Sequence, residues 1–142
     1  MPTGRNGGTM IAVDAAAHWA WSDAWVLAAI TITGSEGAAS LTDVVAAADA
    51  VNHAIVLDTE LEQAVGRLLG AGLIEVPKRR FRLTDAGRAM AARCSGGMRQ
   101  QVDHLLAMLR RLPLTPVPWH LEPDELETAV AGWRRRAARH LR

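Results

Sequence analysis

Residues 59–88, TELEQAVGRLLGAGLIEVPKRRFRLTDAGR, decide the fold. Leu61, Val65, Leu68 and Leu69 form an apolar stripe at helical spacing, and Thr59 with Glu62 has the spacing of a capping box. Gly72 stands where a helix end often requires a positive φ. Residues 73–76 and 80–83 are short β-compatible runs joined by Pro77-Lys78-Arg79. Ile74 and Val76 alternate with Glu75, and Phe81 and Leu83 with Arg82, so one face of this hairpin is apolar and the other charged. Thr84 then caps a further helix, with Asp85 in a first turn where the helix dipole favours an acid.

Upstream, Ser40 and Asp43 have the spacing of another capping box, followed by an apolar face of Val44, Val45, Ala48 and Val51. That helix ends near Asn52 and His53, so it and the next form a helix-turn-helix candidate. Residues 34–39, GSEGAA, read as a loop. From about Asp14 to Ile32 the chain is apolar and rich in alanine and tryptophan, as one long helix or two short ones, with Ser22 and Asp23 able to begin the second. Residues 1–9 read as a disordered tail and 10–95 as the main domain.

Downstream, Met98, Val102, Leu105, Leu109 and Leu112 are spaced 4, 3, 4 and 3. This is the seam of a dimerisation helix over 96–112, or of a helix lying on its own domain. Pro113, Pro116 and Pro118 enforce an extended linker over 113–122. An arginine-rich helix over 123–142 follows, with Pro123 suited to its first turn and Leu126, Val130, Trp133, Ala137 and Leu141 as its stripe. The fold class is mainly α with a small β-hairpin.

Two function classes follow from charge. The net charge of +1 over 142 residues hides an asymmetry. Residues 1–76 carry two arginines against nine acids, whereas residues 77–142 carry Lys78 and thirteen arginines against six acids. The basic half suits an anionic partner, or the halves neutralise each other within the fold or across a dimer. The single cysteine, Cys94, excludes an intramolecular disulfide framework and fits a reducing, cytoplasmic setting. Asp14, His18 and Asp23 interrupt the apolar N-terminal region before a signal-peptide core or membrane span could form, so no membrane association is expected.

The phrases LEQAVGRLLGAGLIEV and FRLTDAGRAM resemble bacterial winged-helix transcriptional regulators of the PadR and MarR kind, over residues 41–90. The resemblance implies a winged helix-turn-helix with added C-terminal helices, acting as a homodimer on double-stranded DNA. Gln63 and Arg67 would then face the groove, while Lys78, Arg79, Arg80 and Arg82 of the wing grip phosphate. The seam from Met98 to Leu112 would pair the subunits. Against this, the helix entering the groove begins Asp58-Thr59-Glu60-Leu61-Glu62, where three acids would meet a polyanion. The alternative is a winged-helix protein–protein interaction module that does not bind DNA.

Other chemistry is sparse. The five histidines lack the i, i+4 pairing of a helical metal site, and no phosphate loop, nucleophile elbow or paired-carboxylate motif stands out. No enzyme activity, metal or cofactor is therefore expected. Arg93 beside Cys94 would lower the thiol pKa, whereas burial would leave it inert. Trp21 and Trp25 share a helical face, with Trp19 nearby, as core or interface anchors or as the lining of an effector pocket.

Overall fold

The computed structural model describes residues 18–33 and 37–140. The expected tail at 1–9, the start of the apolar run at Asp14, loop residues 34–36, and Leu141 and Arg142 lie outside the described residues. The described chain forms α1 (Trp21–Thr33), α2 (Leu41–Asn52), α3 (Asp58–Gly70), β1 (Ile74–Glu75), β2 (Arg82–Leu83), α4 (Asp85–Ala92), α5 (Met98–Leu109) and α6 (Glu125–His140). It is mainly helical with one small antiparallel hairpin, as composition and periodicity suggested.

α1 is the centre of the fold. Every residue from Asp23 to Ile30 is buried, because α2, α3 and α5 all pack around it. A helix apolar on all sides is stable only in such a position. Tryptophan completes the packing: Trp19 is 6% and Trp25 3% exposed. Their indole N–H groups donate to Leu112 O (3.2 Å) and Ala48 O (2.8 Å), so neither buried donor is orphaned. Trp21 stacks obliquely on Trp25, with centroids 5.9 Å apart. The tryptophans therefore serve the core.

The helix ends follow local chemistry, with one revision. Ser40 Oγ accepts from Asp43 N (3.1 Å) and Asp43 Oδ2 accepts from Ser40 N (3.2 Å), closing the expected box. α3 starts earlier than Thr59 and Glu62 suggested. Its N-cap is Leu57, whose N–H donates to Glu60 Oε1 (2.9 Å). Leu57 has no side-chain acceptor, so half of the box is missing. At the other end Gly72 takes φ 72°, letting Leu73 N–H bond Leu68 O at 3.1 Å. The hairpin pairs Ile74 with Leu83 and Glu75 with Arg82. Ala39, expected in a loop, forms a bridge with Phe81 that extends this edge.

The C-terminal third bears on two expectations. Val102, Leu105 and Leu109 are buried against α1 of the same chain, and Leu112 is half-buried, so most of the proposed dimerisation seam is already occupied. Met98 alone of the five is largely exposed, at 47%. Heptad spacing cannot distinguish a partner's helix from one's own. Residues 113–121 are extended, as three prolines require, but they lie across α3 instead of spanning open solvent. They are a strap. It leads into α6, which packs on α2 through Leu126 and Ala129, with Arg136 bonded to Asp43 (3.0 Å).

Candidate functional site

α3 turns Leu61, Ala64, Val65 and Leu68 into the core. At 100° per residue the opposite face carries Thr59, Gln63, Gly66 and Gly70, flanked by Glu62. That is the face a groove-reading helix would present. The strap occupies its C-terminal half, leaving Thr59 and Gln63 exposed. Val117 N–H donates to Gly66 O (2.9 Å), Thr115 Oγ1 to Gly70 O (3.2 Å), and Leu121 N–H to Glu62 Oε2 (2.8 Å).

Glycine makes this approach possible. A Cβ on Gly66 would sit 2.6 Å from Val117 O, and one on Gly70 would overlap Thr115 O. Each glycine costs a helix about 1 kcal/mol relative to alanine. Two of them four residues apart are explained by a backbone lying directly against the helix.

The hairpin tip holds the strap from the other side. Lys78 and Arg79 both adopt left-handed backbone (φ 51° and 60°), at about 1–2 kcal/mol each for residues with a Cβ. This turns Arg79 back onto the strap. Its guanidinium forms a fork with Glu125, Nε to Oε2 at 2.8 Å and Nη2 to Oε1 at 2.6 Å, and also reaches His120 O (2.9 Å). It lies 4.9 Å from the centroid of the Trp119 ring, whose edge meets Phe81 with centroids 5.9 Å apart.

The residues assigned to DNA contact are thus dispersed. Arg67, expected at the groove, is 3% exposed and points inward. Its Nη1 binds Asp23 Oδ2 and His18 O, each at 2.8 Å. Arg79 is tied to Glu125, and Arg82 to Glu75 at 2.7 Å. Arg80 is exposed, with Nε on Ala38 O (3.2 Å), and Gln63 and Lys78 are exposed. Only Gln63, Lys78 and Arg80 of the six remain presented to solvent without an ion pair among the described residues. Nothing in the local sequence pointed to the Arg67–Asp23 pair, whose members are 44 positions apart.

No family model, curated protein or solved structure matches this chain.

A second surface was missed by sequence reading. α6 and the turn between α2 and α3 enclose a groove of about 670 Å³. Leu57, Leu126 and Val130 supply apolar surface, with acids near the start of α6 and arginines further along it. The signal that could have found it is Leu57, a large apolar residue immediately before the acidic first turn of α3.

Elsewhere, burial raises the Cys94 thiol pKa despite Arg93, so the thiolate is disfavoured. No group of three or more potential metal ligands occurs among the described residues, and no helix among them is long and apolar enough to cross a membrane.

The strap contact should respond to pH. The Arg79 hydrogen bonds hold the Glu125 carboxyl below its ordinary pKa, outweighing burial, which acts the other way. For Asp43, burial raises the pKa, but the bonds from Arg136 and Ser40 outweigh it and the net shift is downward. Both groups bind protons less readily when folded. Their contribution is fully present above the ordinary carboxylate range and is lost as pH falls through the depressed folded values. Arg79 is about a third exposed, so solvent limits its pair to roughly 1 kcal/mol. We expect the Trp119 indole N–H resonance to shift as pH falls below the ordinary carboxylate range. Glu125→Gln should flatten that transition.

Proposed function

We propose that this protein is a winged-helix protein-interaction module that does not read DNA through α3. The winged-helix reading is supported by the order helix, helix-turn-helix, hairpin, helix, with Ala39 bridging the hairpin edge. The interaction reading is carried by one observation: the chain's own strap lies against Gly66 and Gly70 on the outward face of α3, leaving only Thr59 and Gln63 of that face exposed at its N-terminal end. A strap on the C-terminal half keeps the helix from seating along its full length in a major groove. Its first turn adds Asp58 and Glu60, and Glu62 lies just beyond, all of which repel phosphate. With Cys94 as the single cysteine, a reducing cytoplasmic setting fits this role.

The DNA-binding regulator is the second reading, favoured by exposed Lys78 and Arg80 at the hairpin tip. Titrating a labelled random-sequence duplex across a salt series separates the two. The interaction module gives a log–log slope no steeper than about −2, the residue of a few stray arginine contacts. A slope near −5 or beyond, reduced by Lys78→Ala and Arg80→Ala and accompanied by affinity loss in Gln63→Ala, would establish the DNA reader instead.

A further inference from the structure

Building on the interaction-module reading, we infer that the groove between α6 and the α2–α3 turn receives an amphipathic helix of a partner protein, lying antiparallel to α6. Two independent observations lead there.

The first is Leu57. It occupies the N-cap of α3, where serine, threonine, aspartate and asparagine are preferred and leucine is among the poorest choices. Its side chain is 61% exposed, the most of any large apolar residue among those described. The chain forgoes a cap and gains nothing in its own core. The leucine instead lines the groove, above buried Leu126 and half-buried Val130.

The second is the order of charge. Asp124 and Glu127 stand at the beginning of α6, while Arg134 and Arg135 lie two turns further along. The seven residues from Glu127 to Arg134 correspond to about 10 Å along the helix axis. None of these four charges joins an ion pair among the described residues, whereas Arg67, Arg79, Arg82, Arg88 and Arg136 all do. The groove is thus an apolar strip with an acidic end and a basic end along α6, with Asp58 of α3 also in its lining.

An occupant matching it carries apolar residues at three- and four-residue spacing, cations opposite Glu127 and acids opposite Arg134. A helix is itself most stable with acids in its first turn and cations in its last. Both conditions hold only if the occupant's N-terminus lies beside Arg134 and Arg135. It then runs opposite to α6.

The test uses two fluorescein-labelled synthetic peptides of the same composition, each about four turns long. The forward probe has glutamates in the first turn, leucines at helical spacing and lysines in the last; the control exchanges the charged ends. Anisotropy titration with the full chain should show the forward probe binding about tenfold more tightly. Leu57→Glu should weaken it about tenfold or more, with an unchanged circular dichroism spectrum because the residue is exposed. Arg134→Glu combined with Arg135→Glu should abolish the preference between probes.

Equal binding of the two probes, absence of binding, or indifference to both variants would overturn the site. Self-association of the chain that Leu57→Glu removes would also overturn it, since the occupant would be a second copy. Steep, α3-dependent duplex binding sinks the interaction reading itself. Flat duplex titration together with silent probes sinks only this groove.

Discussion

Arg67→Ala is expected to destabilise the protein by about 3–5 kcal/mol, because it leaves the Asp23 carboxylate buried without its cation. Asp23 is fully buried and Arg67 3% exposed, with their contact at 2.8 Å. The second oxygen of Asp23 has no hydrogen-bond partner among the described residues, and Oδ2 would keep only the Ala20 N–H at 2.7 Å, a neutral donor. Arg67 also holds His18 O, which fixes the approach to α1. Urea unfolding of the variant should show a lower midpoint with the slope retained. The pair Asp23→Ala with Arg67→Met should recover much of the loss, since no charge then remains buried. A loss below about 1 kcal/mol would instead describe an ordinary surface arginine, such as a groove-facing residue.

The second large effect is expected from Gly70→Ala. In an uncovered helix this change would be neutral or would add up to about 1 kcal/mol of stability, from helix propensity alone. Here the new methyl overlaps Thr115 O, and overpacking of this kind costs about 1–3 kcal/mol when the neighbour cannot yield. The strap can yield by leaving. Hydrogen exchange at Val117 N–H, which is bonded to Gly66 O, should therefore accelerate about tenfold or more while the α1 amides stay protected. Unchanged exchange at Val117 would mean that the strap contributes no constraint. The same variant sharpens the functional question. If releasing the strap brings out salt-dependent duplex binding, the covered face is a concealed DNA reader; if it does not, the acids of α3 are decisive.

Where the sequence was legible, a short-range signal carried the information. The Ser40–Asp43 box, the Gly72 stop and the two hairpin strands each rest on residues within a few positions of one another. The C-terminal assembly rests on distant contacts. Three prolines announce extended chain but say nothing about what it lies against. Arg67 and Asp23 carry no local mark of their pairing. The heptad seam of α5 fits equally well on α1 or on a second subunit. Two signals were present and went unread. Gly66 and Gly70, four apart on an amphipathic helix, mark the close approach of another backbone. Leu57, where a polar cap should stand, marks apolar surface kept for something outside the chain's own core.

The strap also bears on the order of folding. Thr115 meets Gly70 across a separation of 45 residues, and Leu121 meets Glu62 across 59. α1 to α5 make their core from contacts among residues before 113, so the strap can dock onto α3 after that core has formed. Closing loops of this length is slow relative to helix formation, and it comes last. A chain lacking residues 113–140 would differ from the finished one in two places, the bare outer face of α3 and the α2 surface that Leu126 and Ala129 cover.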